Sequence, residues 1–184
     1  EISVVAVDAP DSDRELVQRT GANVNAAYDG TEVQATARGG FTAFLFAAQR
    51  GDVETARVLL EAGADVNEST PQYGNALVVA AASGQEELAL FLLERGADPN
   101  VADGNGITPL HYAVRKGLMP LAAYGYDPYN RPAPPNMPEL AKALLARGAN
   151  PNARINRSLL VLPTRTAIVR MEGATPFLLA AVSG

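Results

Sequence analysis

Cysteine is absent from this chain of 184 residues, which excludes disulfides and thiolate zinc sites and leaves the compartment open. Histidine occurs once, as His111. A Ser-His-Asp or Cys-His arrangement therefore exists only if that residue serves in it, and one imidazole without thiolates supplies too few ligands for zinc. Positive charge is in deficit: a formal charge of −5 and a pI near 4.9 argue against a general nucleic-acid binder, which presents a basic face. No apolar run approaches the roughly 18 residues of a membrane span. No glycine-rich phosphate loop follows a strand, since Gly104 and Gly106 read as turn glycines. Asp98, Asn100, Asp103 and Asn105 crowd together without the spacing of a calcium loop and its closing Glu, and turn formation explains them better. No cofactor and no metal are expected.

What the chain does have is a repeat. The stretch Thr108-Pro-Leu-His-Tyr-Ala-Val-Arg-Lys-Gly117 is echoed by 42–51, 75–84 and 175–184, and Gly51, Gly84 and Gly117 stand 33 residues apart. A second ladder runs beside it, Gly21-Ala-Asn-Val-Asn25, Gly63-Ala-Asp-Val-Asn67, Gly96-Ala-Asp-Pro-Asn100 and Gly148-Ala-Asn-Pro-Asn152. A fixed period with repeated punctuation is one supersecondary unit copied and stacked. In each unit Thr42, Asn75 or Thr108 is placed to cap an inner helix, and a glycine such as Gly51 closes it. An outer helix follows with a buried stripe: Val53, Ala56, Leu59 and Leu60; then Leu88, Ala89, Leu92 and Leu93; then Leu140, Ala141, Leu144 and Leu145. Glu54, Arg57 and Glu61 take the wet face of the first outer helix. Asp65 and Asn67 suit local side-chain turns leading into a finger.

The regular units are 40–67, 73–100 and 106–152. Residues 1–25 read as a worn first unit, with Asp13–Val17 opening a short outer helix. Residues 26–39 exceed the regular connection, and Thr31–Thr36 between glycines predicts an elongated β-finger. An insertion over 118–138 holds 6 of the 13 prolines and 3 of the 6 tyrosines, so it predicts an extended loop. Residues 153–172 predict a long protruding hairpin, with Leu159–Leu162 and Thr166–Val169 flanking Pro163-Thr-Arg165. Residues 173–184 open a further unit. The chain starts at Glu1 rather than Met and closes on what reads as an inner helix, so sequence upstream and a continuing array are expected.

These motifs resemble the ankyrin repeats, whose period is also 33. The resemblance covers nearly the whole chain apart from the long insertions. It implies an all-α repeat solenoid: stacked helix-turn-helix units with β-hairpin fingers, two of them elongated, and a concave groove used for binding proteins. The Thr-Pro-Leu-His signature is complete only at 108–111. Leu45, Val78 and Leu178 stand where the family usually has His, which keeps those sites apolar and removes some hydrogen bonds between units. The long loops suggest a bacterial, exported-type member, periplasmic or secreted.

The resemblance places the variable positions after each inner helix on the groove: Gln49, Arg50, Ser83, Arg115 and Lys116. Finger residues Gln72, Tyr73, Asn105 and Ile107 should neighbour them. Tyr124, Tyr126 and Tyr129 of the insertion offer amphipathic contact area beside the groove, or cover the stack's own apolar surface. His111 sits in the family's structural position, where a hydrogen-bonding role outweighs a catalytic one. Asn67-Glu-Ser69 and Asn156-Arg-Ser158 fit the glycosylation triplet, which matters only in a eukaryotic secretory setting. The expected function is a non-enzymatic scaffold for a protein partner. The alternatives are an assembly subunit docking on a larger complex through its long hairpins, and the regulatory domain of an enzyme lying outside this chain.

Overall fold

The computed structural model describes residues 27–28, 41–114, 137–156, 159–161, 168–170 and 172–183. The worn unit at 1–25, the finger segment Thr31–Thr36 and residues 118–136 of the insertion lie outside the described residues. So do Arg115, Lys116, Tyr124, Tyr126 and Tyr129. Seven helices are present among those described: α1 (Ala43–Arg50), α2 (Val53–Glu61), α3 (Ala76–Ala82), α4 (Glu86–Glu94), α5 (Pro109–Val114), α6 (Pro138–Ala146) and α7 (Pro176–Ser183). Six short strands pair antiparallel as three hairpins: β1 (Ala27–Tyr28) with β2 (Phe41–Thr42), β3 (Ser69–Thr70) with β4 (Gly74–Asn75), and β5 (Leu159–Val161) with β6 (Ile168–Arg170).

Local chemistry starts and stops the helices. The Thr42 hydroxyl accepts from the Leu45 amide at 3.2 Å, Asn75 Oδ1 from Val78 at 3.0 Å, and the Thr175 hydroxyl from Leu178 at 3.2 Å. Each bond satisfies one of the amides left orphaned at a helix start. Outer helix α2 begins the same way on Asp52, whose Oδ1 accepts from the Thr55 amide at 3.0 Å. Gly51 ends α1 at φ 76°, a left-handed conformation that glycine adopts without a Cβ penalty.

The helices form two rows. Inner helices α1, α3, α5 and α7 pack side by side in chain order, and outer helices α2, α4 and α6 pack behind them in the same order. The expected stripes are what joins the rows: Leu88, Ala89, Leu92 and Leu93 are all buried, as are Ala56, Leu59, Leu140 and Leu144. Burying one such leucine contributes on the order of 2 kcal/mol, so one outer helix supplies several. Alanines 47, 48, 80, 81 and 113 are buried between inner helices, where their small size permits close approach. Leu145 departs from the expectation: it is 50 % exposed, whereas Leu93 at the same place in the preceding unit is 2 % exposed. Helix α6 packs against the far side of α4, and among the described residues no further outer helix follows α6.

Polar bonds fix the register between units. Asn67 donates through Nδ2 to the Gly96 carbonyl at 3.1 Å, and its Oδ1 accepts from the Asp98 amide at 2.7 Å. One unit later Asn100 does the same to Gly148 (3.1 Å) and Asn150 (2.8 Å). Within each tail the acidic or amide residue two places earlier makes the local turn, as in Asn67 N to Asp65 Oδ1 at 2.8 Å. The expectation of a purely local role for Asn67 is thus corrected. Both ends of its amide are spent on the neighbouring unit, which also leaves its glycosylation triplet without a free side chain. Glu86 caps the next outer helix by accepting from the Leu140 amide at 3.0 Å, and Arg147 reaches back to donate to the Leu93 carbonyl.

Candidate functional site

Each inner helix has a finger at its start and a turn at its end. Strands β2 and β4 run directly into α1 and α3. Gln49 and Arg50 close α1, and Ser83 follows α3. Eight residues at 1.5 Å each make α1 about 12 Å long, so the finger rim and the turn rim stand roughly that far apart. Helix α3 between them is buried along its whole length. Around α3 the accessible side chains are therefore on the rims, whereas α1 and α7 also expose Phe46, Phe177 and Leu178 along the helix.

The finger rim is cross-linked. The Gln72 carbonyl accepts from the Gly104 amide at 3.0 Å, and the Asn105 carbonyl accepts from the Asn156 amide at 2.7 Å. Three successive connections are thereby tied side by side through their backbones. Gln72, Gly104 and Asn156 are exposed and Asn105 is half-buried. Gly106 holds φ 81°, and a Cβ there would meet the Asn156 backbone nitrogen at 2.9 Å, so the close approach itself requires glycine.

Two residues expected on this rim are inside instead. Tyr73 is 3 % exposed, its ring edge-on to Phe41 at 5.0 Å, because the tight turn after Thr70 directs it back against the start of α1. Ile107 is 0 % exposed; its amide donates to Asp103 Oδ1 at 2.9 Å, which folds the turn under and carries its side chain into the core. Neither is presented to a partner. On the turn rim Arg50 is exposed, while Gln49 and Ser83 are half-buried, and the Gln49 carbonyl accepts from Gln85 Nε2 at 3.3 Å.

Asp103 and His111 are both buried, and both are occupied. Asp103 accepts from the Asn105 and Ile107 amides through Oδ1 at 2.9 Å each and from the Tyr112 hydroxyl through Oδ2 at 2.9 Å. Burial raises its pKa, and these donors pull partly the other way. His111 is 0 % exposed. Its Nδ1 lies 3.1 Å from the Thr108 amide, which can only donate, so Nδ1 is the acceptor and the proton sits on Nε2, 3.4 Å from the Ala174 carbonyl. Burial lowers its pKa to about 4 against the opposing pull of the Ala174 and Ala153 carbonyls. At neutral pH the ring is an uncharged clamp between the third unit and the turn before α7.

On the outer face Phe91 lies between two guanidinium groups, Arg57 at 5.1 Å and Arg95 at 4.6 Å from its ring centre. Arg57 comes from the preceding unit, so this stack also ties two units together. The role that sequence reasoning missed is that of the tail asparagines Asn67 and Asn100 as links between units. Their signal was present, an asparagine recurring at the repeat period, but its partner is a residue 29 to 50 places away.

Among the described residues no three His, Cys, Asp or Glu side chains are grouped to hold a metal ion, and no helix is long and apolar enough to cross a membrane. Compared with known families, residues 14–103 match a family model described as ankyrin repeats in three copies, and residues 77–132 match one described as ankyrin repeats in many copies. No curated protein matches the chain.

Proposed function

From the premise that the chain belongs to the ankyrin repeat family, whose members generally mediate protein–protein interactions, we propose that it is a non-enzymatic scaffold that holds a protein partner between its two rims. The observation that carries this reading is the cross-linked finger row. Gln72, Asn105 and Asn156 are held in register by backbone bonds between units, so the backbone that carries them needs no further ordering when a partner binds. The spacing of about 12 Å between the rims matches the 10–12 Å diameter of a helix, and it also admits an extended chain. Arg50 on the opposite rim adds an exposed guanidinium, a group enriched where interfaces carry their energy. Arg115 and Lys116, at the equivalent place in the third unit, extend that basic edge in this proposal. Tyr124, Tyr126 and Tyr129 belong to the contact set of this proposal.

Two sets of substitutions test it against a partner obtained by affinity capture and then measured by direct titration. Reversing charge on the turn rim (Arg50→Glu, Arg115→Glu, Lys116→Glu) and blocking the finger rim (Gln72→Glu, Asn156→Glu) should each weaken binding about tenfold or more while leaving the circular-dichroism spectrum and urea midpoint in place. Unchanged affinity in both sets refutes the two-rim reading.

A further inference from the structure

Burial along the inner helices separates two faces. In α3, which lies between α1 and α5, every residue is buried. In α1, which has α3 after it, Phe44, Leu45, Ala47 and Ala48 are buried, while Ala43 and Phe46 are exposed. In α7, which has α5 before it, the pattern inverts. The equivalents of the buried four, Phe177, Leu178, Ala180 and Ala181, are exposed, and the equivalents of the exposed pair, Pro176 and Leu179, are buried. Each inner helix therefore has a forward face at the first four positions and a backward face at the other two. His111 stands at a forward position, and its Nε2 lies 3.4 Å from the Ala174 carbonyl in the following unit, as that assignment requires.

Every described junction between inner helices mates a forward face with a backward one: α1 with α3, α3 with α5, and α5 with α7. Among the described residues no inner helix precedes α1 or follows α7, so both halves of one more junction stand open. Phe177 is 74 % exposed and Leu178 54 %. Phe46 is 45 % exposed, although its ring is held edge-on to Phe41 at 4.8 Å. A stack that remains alone in water ends on polar faces, whereas these two are apolar, and grouped apolar exposure marks an interaction site. Helix α7 carries no charged residue, so nothing on it opposes burial.

We infer that a second copy of this chain occupies these faces: α7 of one copy packs its forward face against the backward face of α1 in the next. The contact repeats the junction that joins α5 to α7 within a chain. It is heterologous, one end against the other, and it leaves a free end on each side. Copies therefore add in open series rather than closing as a dimer. On the scaffold reading this also lengthens the groove, but the association is measured without a partner, so its failure leaves that reading untouched.

The experiment is analytical ultracentrifugation of the whole chain over a concentration series. The average mass should rise with concentration past the dimer without a plateau there. Phe46→Glu and Phe177→Glu, both at exposed positions, should each weaken self-association about tenfold or more while keeping the helical circular-dichroism signal. Phe46→Glu leaves the α7 end open and Phe177→Glu leaves the α1 end open, so an equimolar mixture should form a one-to-one dimer and stop there. Should either variant lose its helical signal, Ala43→Glu and Ala181→Glu take their places; the first puts a carboxylate in the first turn of α1, where the helix dipole favours it. A chain that stays monomeric at every concentration overturns the inference. So does association retained by Phe46→Glu alone, which means contact through two α7 ends, or by Phe177→Glu alone, which means contact through two α1 ends. Association retained by both variants, or failure of the mixture to pair, overturns it as well.

Discussion

Acid should loosen the joint at His111 by an amount that the structure allows to be worked out. In the folded protein the ring has a pKa of about 4, against the ordinary 6.5 in an unfolded chain. Between those values the unfolded state binds the proton and the folded state does not, so stability is fully present above about pH 6.5 and is lost as pH falls toward 4. The difference of about 2.5 units corresponds to about 3 kcal/mol, a large fraction of the 5–15 kcal/mol typical of a domain. The cause is burial, which penalises the charged ring against the opposing pull of the Ala174 and Ala153 carbonyls, and the hydrogen bonding of the folded state agrees with it. A proton added at Nδ1 faces the Thr108 amide at 3.1 Å, a donor against a donor. Asp103 opposes the trend: its pKa is raised, so its share of stability is present at low pH and declines as pH rises. The two are separated by urea denaturation, followed by circular dichroism, of the wild type, His111→Leu and Asp103→Asn between about pH 7 and about pH 4. Leucine is a reasonable replacement because the chain itself places Leu45 and Leu178 at the equivalent positions. The variant should be less stable at pH 7, having left the buried Thr108 amide without its acceptor and the Ala174 carbonyl with only the Ile155 amide as donor, yet lose about 3 kcal/mol less than the wild type on acidification. Equal losses in wild type and His111→Leu would refute the argument.

Asn100→Ala should lower stability by about 1–2 kcal/mol in urea denaturation, since it removes the bonds to Gly148 and Asn150 but exposes both groups to water; Asn67→Ala, one unit earlier, should cost the same, and a cost near zero in both would contradict the tail ladder. Gly106→Ala should cost about 2 kcal/mol or more, because the φ of 81° disfavours a side chain and the Cβ would meet the Asn156 amide and backbone; a neutral result, measured by urea midpoint, would count against the close approach of the two fingers. Tyr112→Phe removes the donor to Asp103 Oδ2 and should cost about 1–3 kcal/mol at neutral pH and less under acid, where Asp103 is protonated. A penalty independent of pH would mean that the hydroxyl matters for some reason other than that carboxylate.

The sequence by itself determined the features whose physics is contained in a few consecutive residues. Thr42 and Asn75 cap their helices, Gly51 turns left-handed, and Leu88, Ala89, Leu92 and Leu93 fall on one buried stripe, because capping geometry and the 3.6-residue period act within one or two turns. The strands Leu159–Val161 and Ile168–Arg170 were legible for the same reason, as apolar runs on either side of Pro163 in the sequence. Only the tertiary structure decided the rest. Leu93 and Leu145 occupy the same place in the same local pattern, yet one is 2 % and the other 50 % exposed, since burial depends on whether another helix lies beyond. Tyr73 and Ile107 looked like finger-tip residues and are core residues, because the turn that carries each is folded back by bonds to Thr70 and Asp103. The tail asparagines looked like local turn formers and are the links between units. A side-chain amide pairs with whatever backbone is brought within 3 Å of it, and here that backbone belongs to the next unit in the stack.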